Sequence, residues 1–204
     1  WTTTYNSPAN GDDLGWGIAV DGSGNVYVTG YETRTDLAQG ENVWVRKYDA
    51  NGLVLWTTTY NGATSGDDGG QGIAVDGSGN AYVVGTSSQG GQSDDIWVRK
   101  YDTNGLVLWT TTYNNGPGAG DEGRGIAVDS IGNAYVAGIA GGISSDIWVT
   151  KYNTISGAVQ WTTSYNGPGS GPDEGKGIAV DGSGNVYVTG EEYVAGQMQN
   201  IWVR

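Results

Sequence analysis

Gly17-Ile-Ala-Val-Asp-Gly-Ser-Gly-Asn-Val-Tyr-Val-Thr-Gly30 reads as two short strands joined by a tight turn. Its flanks alternate and are rich in β-branched and aromatic residues. The Asp21 to Asn25 link between them supplies the Asp, Gly and Asn that tolerate positive φ. The same stretch returns in register from Gly72, Gly125 and Gly177, with its second half beginning at Asn80, Asn133 and Asn185. Upstream lies Trp1-Thr-Thr-Thr-Tyr5, which returns as Trp56 to Tyr60, Trp109 to Tyr113 and, with one Ser, Trp161 to Tyr165, at spacings of 55, 53 and 52 residues. Downstream, Val43-Trp-Val-Arg-Lys-Tyr48 returns from Ile96 and Ile147 and again as Ile201-Trp-Val-Arg204.

Each repeat thus carries four strand-like segments, and none of them has helical periodicity. The Asp49 to Gly52 link before the last segment is a second hairpin turn of Asp, Asn and Gly. Four-stranded antiparallel units at a period near 50 predict β-propeller blades in an all-β chain. The repeats run 1–55, 56–108, 109–160 and 161–204 within a single domain, 1–204. Because the chain opens on a copy of the fourth segment and stops after a copy of the third, Trp1 to Tyr5 is expected to pair with 201–204. That strand would close a propeller of four four-stranded blades. Two alternatives stay open: half of an eight-bladed ring completed by another molecule, and strand exchange that runs head to tail into a fibre.

The combination of residues 17–30 with Lys47-Tyr-Asp-x-x-Gly-x-x-x-Trp56 resembles the SBBP-type β-propeller repeats of large secreted bacterial proteins. The resemblance covers essentially the whole chain. It implies a propeller and an extracellular setting, and carries no general catalytic assignment. The family's customary seven blades do not match four repeats.

Composition narrows the chemistry. The 204 residues include 38 Gly, 9 Trp and 13 Tyr, but no Phe, Cys or His. A Cys/His zinc site, His-held haem, a thiol nucleophile and a Ser-His-Asp triad are therefore excluded within this chain. A net charge of -13 disfavours nucleic acid and anionic membranes as partners. No apolar run approaches the roughly 20 residues that span a bilayer, so no membrane insertion is expected. The aromatic and β-branched content argues for a folded chain despite the charge. A start at Trp1 reads as a processed chain or a segment of a longer one, and the acidic Gly/Thr/Asn-rich composition leans towards a secreted or cell-surface location.

Strands that run up and down place the short turns on one face of the disc and the long, variable loops on the other. Every acidic residue except Asp21, Asp49, Asp76, Asp102, Asp129 and Asp181 falls on the long-loop face. There, Asp-x-Gly-x-Gly precedes each first strand, with Asp13, Asp68, Asp121 and Asp173 in register and a second acid beside each. A ring of carboxylates at the mouth of the central channel would suit Ca2+. The structural alternative is that each Asp caps backbone N–H groups in its loop. The Asp-Gly-Ser-Gly-Asn turns lack the ligands of a calcium loop and read as hairpins. Trp44, Trp97, Trp148 and Trp202, with Tyr27, Tyr82, Tyr135 and Tyr187, recur once per blade and are expected to fill the space between blades. Arg46, Lys47, Arg99 and Lys100 read as outer-strand charges with their stems on aromatic rings. Trp16 breaks the repeat, since Gln71, Arg124 and Lys176 stand at its position, and is a candidate contact residue.

These features favour a non-enzymatic extracellular structural or interaction module, as a repeating unit of a surface protein or filament. It would require no cofactor and would self-associate through strand pairing or bind a protein partner. The alternative is a lectin-like propeller that binds calcium or carbohydrate on its acidic loop face. Acids repeated by symmetry supply no single acid differentiated from a single base, so an enzyme is not expected.

Overall fold

The structure, a computed structural model, describes residues 1–89, 93–116, 118–141, 144–169, 171–197 and 199–204. Parts of the expected long loops, at 90–92, 142–143 and 198, lie outside the described residues. The described strands form four antiparallel sheets in chain order. Blade 1 holds β1 (Asp13–Val20), β2 (Val26–Thr33), β3 (Glu41–Tyr48) and β4 (Val54–Tyr60). Blade 2 holds β5 (Gly69–Val75), β6 (Ala81–Ser87), β7 (Asp95–Tyr101) and β8 (Val107–Tyr113). Blade 3 holds β9 (Glu122–Val128), β10 (Ala134–Ala140), β11 (Asp146–Tyr152) and β12 (Val159–Tyr165), and blade 4 holds β13 (Glu174–Val180), β14 (Val186–Tyr193) and β15 (Gln199–Val203). A single 3-10 turn, Thr35–Leu37, is the one helical element among the described residues.

The hairpins form because each turn caps itself. Asp21 Oδ1 accepts the amides of Ser23 and Asn25 at 2.9 and 3.0 Å, and the Asn25 amide group donates to Oδ2 at 2.8 Å. Asp76, Asp129 and Asp181 repeat that set. The antiparallel register that follows sends alternate side chains to opposite faces of each blade. Tyr27, Val43 and Val45 face forward from blade 1 and pack with Ile73, Ala81, Val83, Trp97 and Tyr101 on the back of blade 2. The blade 2 and blade 3 junction repeats this with Tyr82, Ile96 and Val98 against Ala134, Val136, Trp148 and Tyr152. The core is thus divided among the junctions between blades, and the inner strands stack β1 on β5, β5 on β9 and β9 on β13.

The expected closing strand is not formed. Among the described residues, 1–5 pair with no strand, and the sheet of blade 4 has three strands. The reason lies in what outer strands do in this fold: each leans on the following blade. Trp56 packs on Tyr101 and Tyr60 stacks on Trp97, with ring centroids 6.1 and 5.0 Å apart. Trp1 packs in the same way on Tyr48 at 5.5 Å, and Tyr5 stacks on Trp44 at 5.0 Å. These contacts hold the segment against blade 1, while β15 lies at the far end of the stack. After four blades the ends have not met. Ile18 and Val20 on blade 1 are 69% and 60% exposed, and Ile201 and Val203 on blade 4 are 89% and 69% exposed.

Candidate functional site

Asp-x-Gly-x-Gly lies within or at the start of the inner strand, and a β-bulge falls in its Gly-x-Gly. Gly15 pairs with Gly30 and Gly17 with Thr29, so Trp16 is the extra residue. Gln71, Arg124 and Lys176 occupy the same bulge in the other blades. A bulge re-aims a side chain, which explains how one variable position per blade is presented at the rim. Gly-x-Gly reads equally well as loop, so nothing in the residues alone marks the bulge.

The aspartates that open the motif act as tethers. Asp68 Oδ2 accepts the Gly62 amide at 2.6 Å and Oδ1 accepts the Ser88 amide at 2.9 Å. One carboxylate thereby ties the link before its strand to the loop after the next strand. Asp13 binds the amides of Ser7 and Thr33, Asp121 those of Asn115 and Gly141, and Asp173 those of Gly167 and Tyr193. Asp68, Asp121 and Asp173 are fully buried. Burial pushes the Asp68 carboxyl above its ordinary value despite the opposing amides. Among the described residues, no group of three or more acidic side chains is placed to hold a metal ion.

The neighbouring acids are balanced unevenly around the rim. Arg124 bridges Glu122 at 2.9 Å and Glu174 of the next blade at 2.8 Å, while Lys176 reaches Glu174 at 2.7 Å and Glu191 at 3.4 Å. Arg34 pairs with Glu32 and Asp36. Trp16, by contrast, is 48% exposed and meets Tyr31 edge-on at 5.1 Å. The lysines expected as outer-strand charges lie on the third strand of each blade, inside β4 and β8, and go deeper than expected. Lys47 and Lys100 are 6% exposed, and their ammonium groups sit 4.8 Å over Tyr27 and Tyr82. Each also donates across the junction to the next blade, Lys47 to the Thr103 carbonyl at 3.2 Å and Lys100 to Thr154 at 2.9 Å.

The two ends of the stack form the other candidate site. A 500 Å³ groove runs between residues 1–5 and the back of blade 1, lined by Ile18, Val26, Val28, Tyr31, Trp44 and Tyr48 among others. A 240 Å³ groove lies between β12 and blade 4, where Trp161, Val186, Val188 and Trp202 line it. Tyr187, Ile201 and Val203 on the forward face of blade 4 are exposed, although their counterparts Tyr27, Val43 and Val45 are fully buried. Burial and a hydrogen bond to Glu32 push the Tyr5 hydroxyl up to about 12, so it stays a neutral donor holding its segment in place.

Comparison with known proteins places this geometry. The family profile described as SBBP: Beta-propeller repeat matches residues 9–31, 58–98, 109–143 and 160–191. No curated protein matches the chain. Similar solved structures include BamB from Moraxella catarrhalis, at 16% identity over 87% of this chain and 47% of that one, with a TM-score of 0.47. A tail fiber of a Staphylococcus aureus phage matches at 12% identity over 94% of this chain and 49% of its own, with a TM-score of 0.35. An endo-arabinase from Bacteroides thetaiotaomicron matches at 13% identity over 98% and 78%, with a TM-score of 0.51. The chain spans about half the length of the first two. At 13% identity the likeness to the endo-arabinase is one of fold alone.

Proposed function

This chain belongs to the SBBP β-propeller repeat family, and from that premise we propose that it is a non-enzymatic structural and interaction module of the cell exterior, a repeating unit of a surface protein or filament. The observation that carries this reading is the pair of uncovered blade faces. Ile201 and Val203 at one end expose side chains whose counterparts at internal junctions are buried, and Ile18 and Val20 at the other expose side chains whose counterparts are half-buried, or buried in the case of Ile73. Apolar surface of this kind is stabilised when a partner removes it from water. The acids of the loop face support the same reading, because Asp13, Asp68, Asp121 and Asp173 make equivalent hydrogen bonds to backbone and are engaged as tethers between loops. The exterior location rests on the acidic, Gly- and Thr-rich composition.

Sedimentation velocity over a concentration series tests the interaction reading. Association into dimers or longer assemblies is expected, and a strict monomer throughout overturns it. A second reading, glycan binding, is favoured by the exposure of Trp16 against Tyr31. Its test is a glycan array in which binding to the chain is lost in Trp16→Ala.

A further inference from the structure

Resting on the interaction reading above, we propose that the loop face at the junction of blades 1 and 2 docks a basic side chain of a protein partner. The occupant is an arginine whose guanidinium lies on the Trp16 ring and is held by Asp12, Glu41 and Asp67.

The bulge register shows how the rim is balanced elsewhere. Blade 4 sets Glu174 opposite Glu191 with Lys176 in the bulge, and blade 3 sets Glu122 opposite Ile139 with Arg124 in the bulge. Both cations are taken up by rim carboxylates, Arg124 by Glu122 at 2.9 Å and Glu174 at 2.8 Å, and Lys176 by Glu174 at 2.7 Å. Blade 1 sets Leu14 opposite Tyr31 with Trp16 in the bulge. An indole therefore stands where the other two blades carry a cation, yet the acids remain. Glu41 opens β3, and Asp67 reaches it from across the junction, its Oδ1 accepting the Glu41 amide at 3.1 Å. The Tyr31 hydroxyl donates to the Glu41 carboxylate. Burial and the charges of Asp67 and Asp12 push the Glu41 carboxyl above its ordinary value, so these acids crowd one another. Among the described residues no Lys or Arg forms an ion pair with Asp12, Glu41 or Asp67, and Arg34 of the adjoining loop is taken by Glu32 and Asp36.

Blade 2 keeps the indole open. A Cβ at Gly69 would lie 2.8 Å from the Trp16 ring, so glycine at that position is what lets the ring lie along the inner strand of blade 2. With Tyr31 edge-on at 5.1 Å, Trp16 remains 48% exposed. The chain also shows how a guanidinium is received. Arg99 lies 4.3 Å over Tyr60 and 4.9 Å over Trp97, while Arg124 bridges two carboxylates from the bulge. A planar cation supplied from outside combines the two modes, stacking on Trp16 and pairing with carboxylate in a fork. A lysine ammonium has no such fork and is expected to bind less tightly. The net charge of -13 draws basic partners towards the chain.

The test follows the indole N–H signals of the nine Trp by NMR as an acetylated, amidated Gly-Arg-Gly-Arg-Gly peptide is added, with the Trp16 signal assigned by its loss in Trp16→Phe. Selective movement of that signal is expected, and none when citrulline, similar in shape but uncharged, replaces arginine. By calorimetry Trp16→Ala, which leaves the net charge unchanged, is expected to weaken binding about tenfold. Glu41→Gln is expected to weaken it as well, and Trp16→Arg, which copies the bulge of blade 3, to abolish it by satisfying the acids from within. Equal movement of all the indole signals, or an unchanged affinity in Trp16→Ala, reduces the effect to attraction by net charge and overturns the site. A glucosamine oligomer that moves the Trp16 signal when the arginine peptide does not also overturns it, in favour of the glycan reading of Trp16. Self-association read by sedimentation is untouched by these outcomes, so the site and the interaction reading fail separately.

Discussion

Asp68 shows what the repeated aspartates do for stability. It is fully buried, and its two oxygens accept the amides of Gly62 and Ser88. Asp68→Ala leaves both donors without their charged acceptor and is expected to cost about 3 kcal/mol by urea denaturation. Asp12→Ala, at an exposed neighbour, is expected to stay within about 0.5 kcal/mol. Because these carboxylates are occupied by backbone, excess Ca2+ or EDTA is expected to leave the melting temperature unchanged; a rise with Ca2+ would restore the ion ring. Asp76 carries the pH dependence of the turns. Burial pushes its carboxyl up, but hydrogen bonds from Asn80, Ser78 and Tyr82 outweigh this and hold it below the ordinary Asp value. A folded-state value below the unfolded one gives stability that is whole above about pH 4 and is lost as pH falls through the depressed value. The stability gap between the parent chain and Asp76→Asn is therefore expected to narrow between pH 7 and pH 3. The recurrence of Asp13, Asp68, Asp121 and Asp173 was legible in the residues. Their acceptor role is not legible there, because the amides they bind lie six residues before and twenty after, a distance that only the fold collapses.

At the scale of elements, the hairpins were the most legible part, since Asp, Gly and Asn at fixed offsets state a local backbone geometry that needs no tertiary help. Where a turn has two glycines, only one of them is demanding. Gly79 has φ of +80°, whereas Gly77 has open space around it and an ordinary backbone. Gly79→Ala is expected to cost about 1–2 kcal/mol and Gly77→Ala close to nothing, as read from urea midpoints. The third repeat has already made the tolerated change: Ser130 stands where Gly77 does, while Gly132 keeps a φ of +88°. The bulges were not legible, because their cause is contact across the sheet. A Cβ at Gly85 would lie 1.8 Å from the Gly69 carbonyl oxygen, a constraint visible only once β5 and β6 are paired. Nor was the depth of Lys47 and Lys100 apparent, since alternation along a strand says which face a side chain takes but not that a neighbouring blade covers that face.

Closure is a property of the whole molecule, and here local sequence says least. The residues identify Trp1 to Tyr5 as an outer strand, but whether it meets β15 of its own chain depends on the rotation accumulated over three junctions. That rotation leaves the ends apart, with apolar faces at both and the acidic loops beside them. Association of two such chains therefore sets two terms against each other. Burying Ile18, Val20, Ile201 and Val203 favours association by the hydrophobic effect, which depends only weakly on moderate salt. Bringing together two chains of net charge -13 opposes it by long-range repulsion. The Debye length shrinks from about 30 Å at 0.01 M salt to about 8 Å at 0.15 M. The repulsive term is thus largely removed over that range while the apolar term stays. The dissociation constant of self-association, measured by sedimentation equilibrium, is expected to fall as NaCl rises from about 0.01 to 0.15 M. An affinity that weakened with salt would mean that opposite charges, in place of apolar faces, hold the chains together.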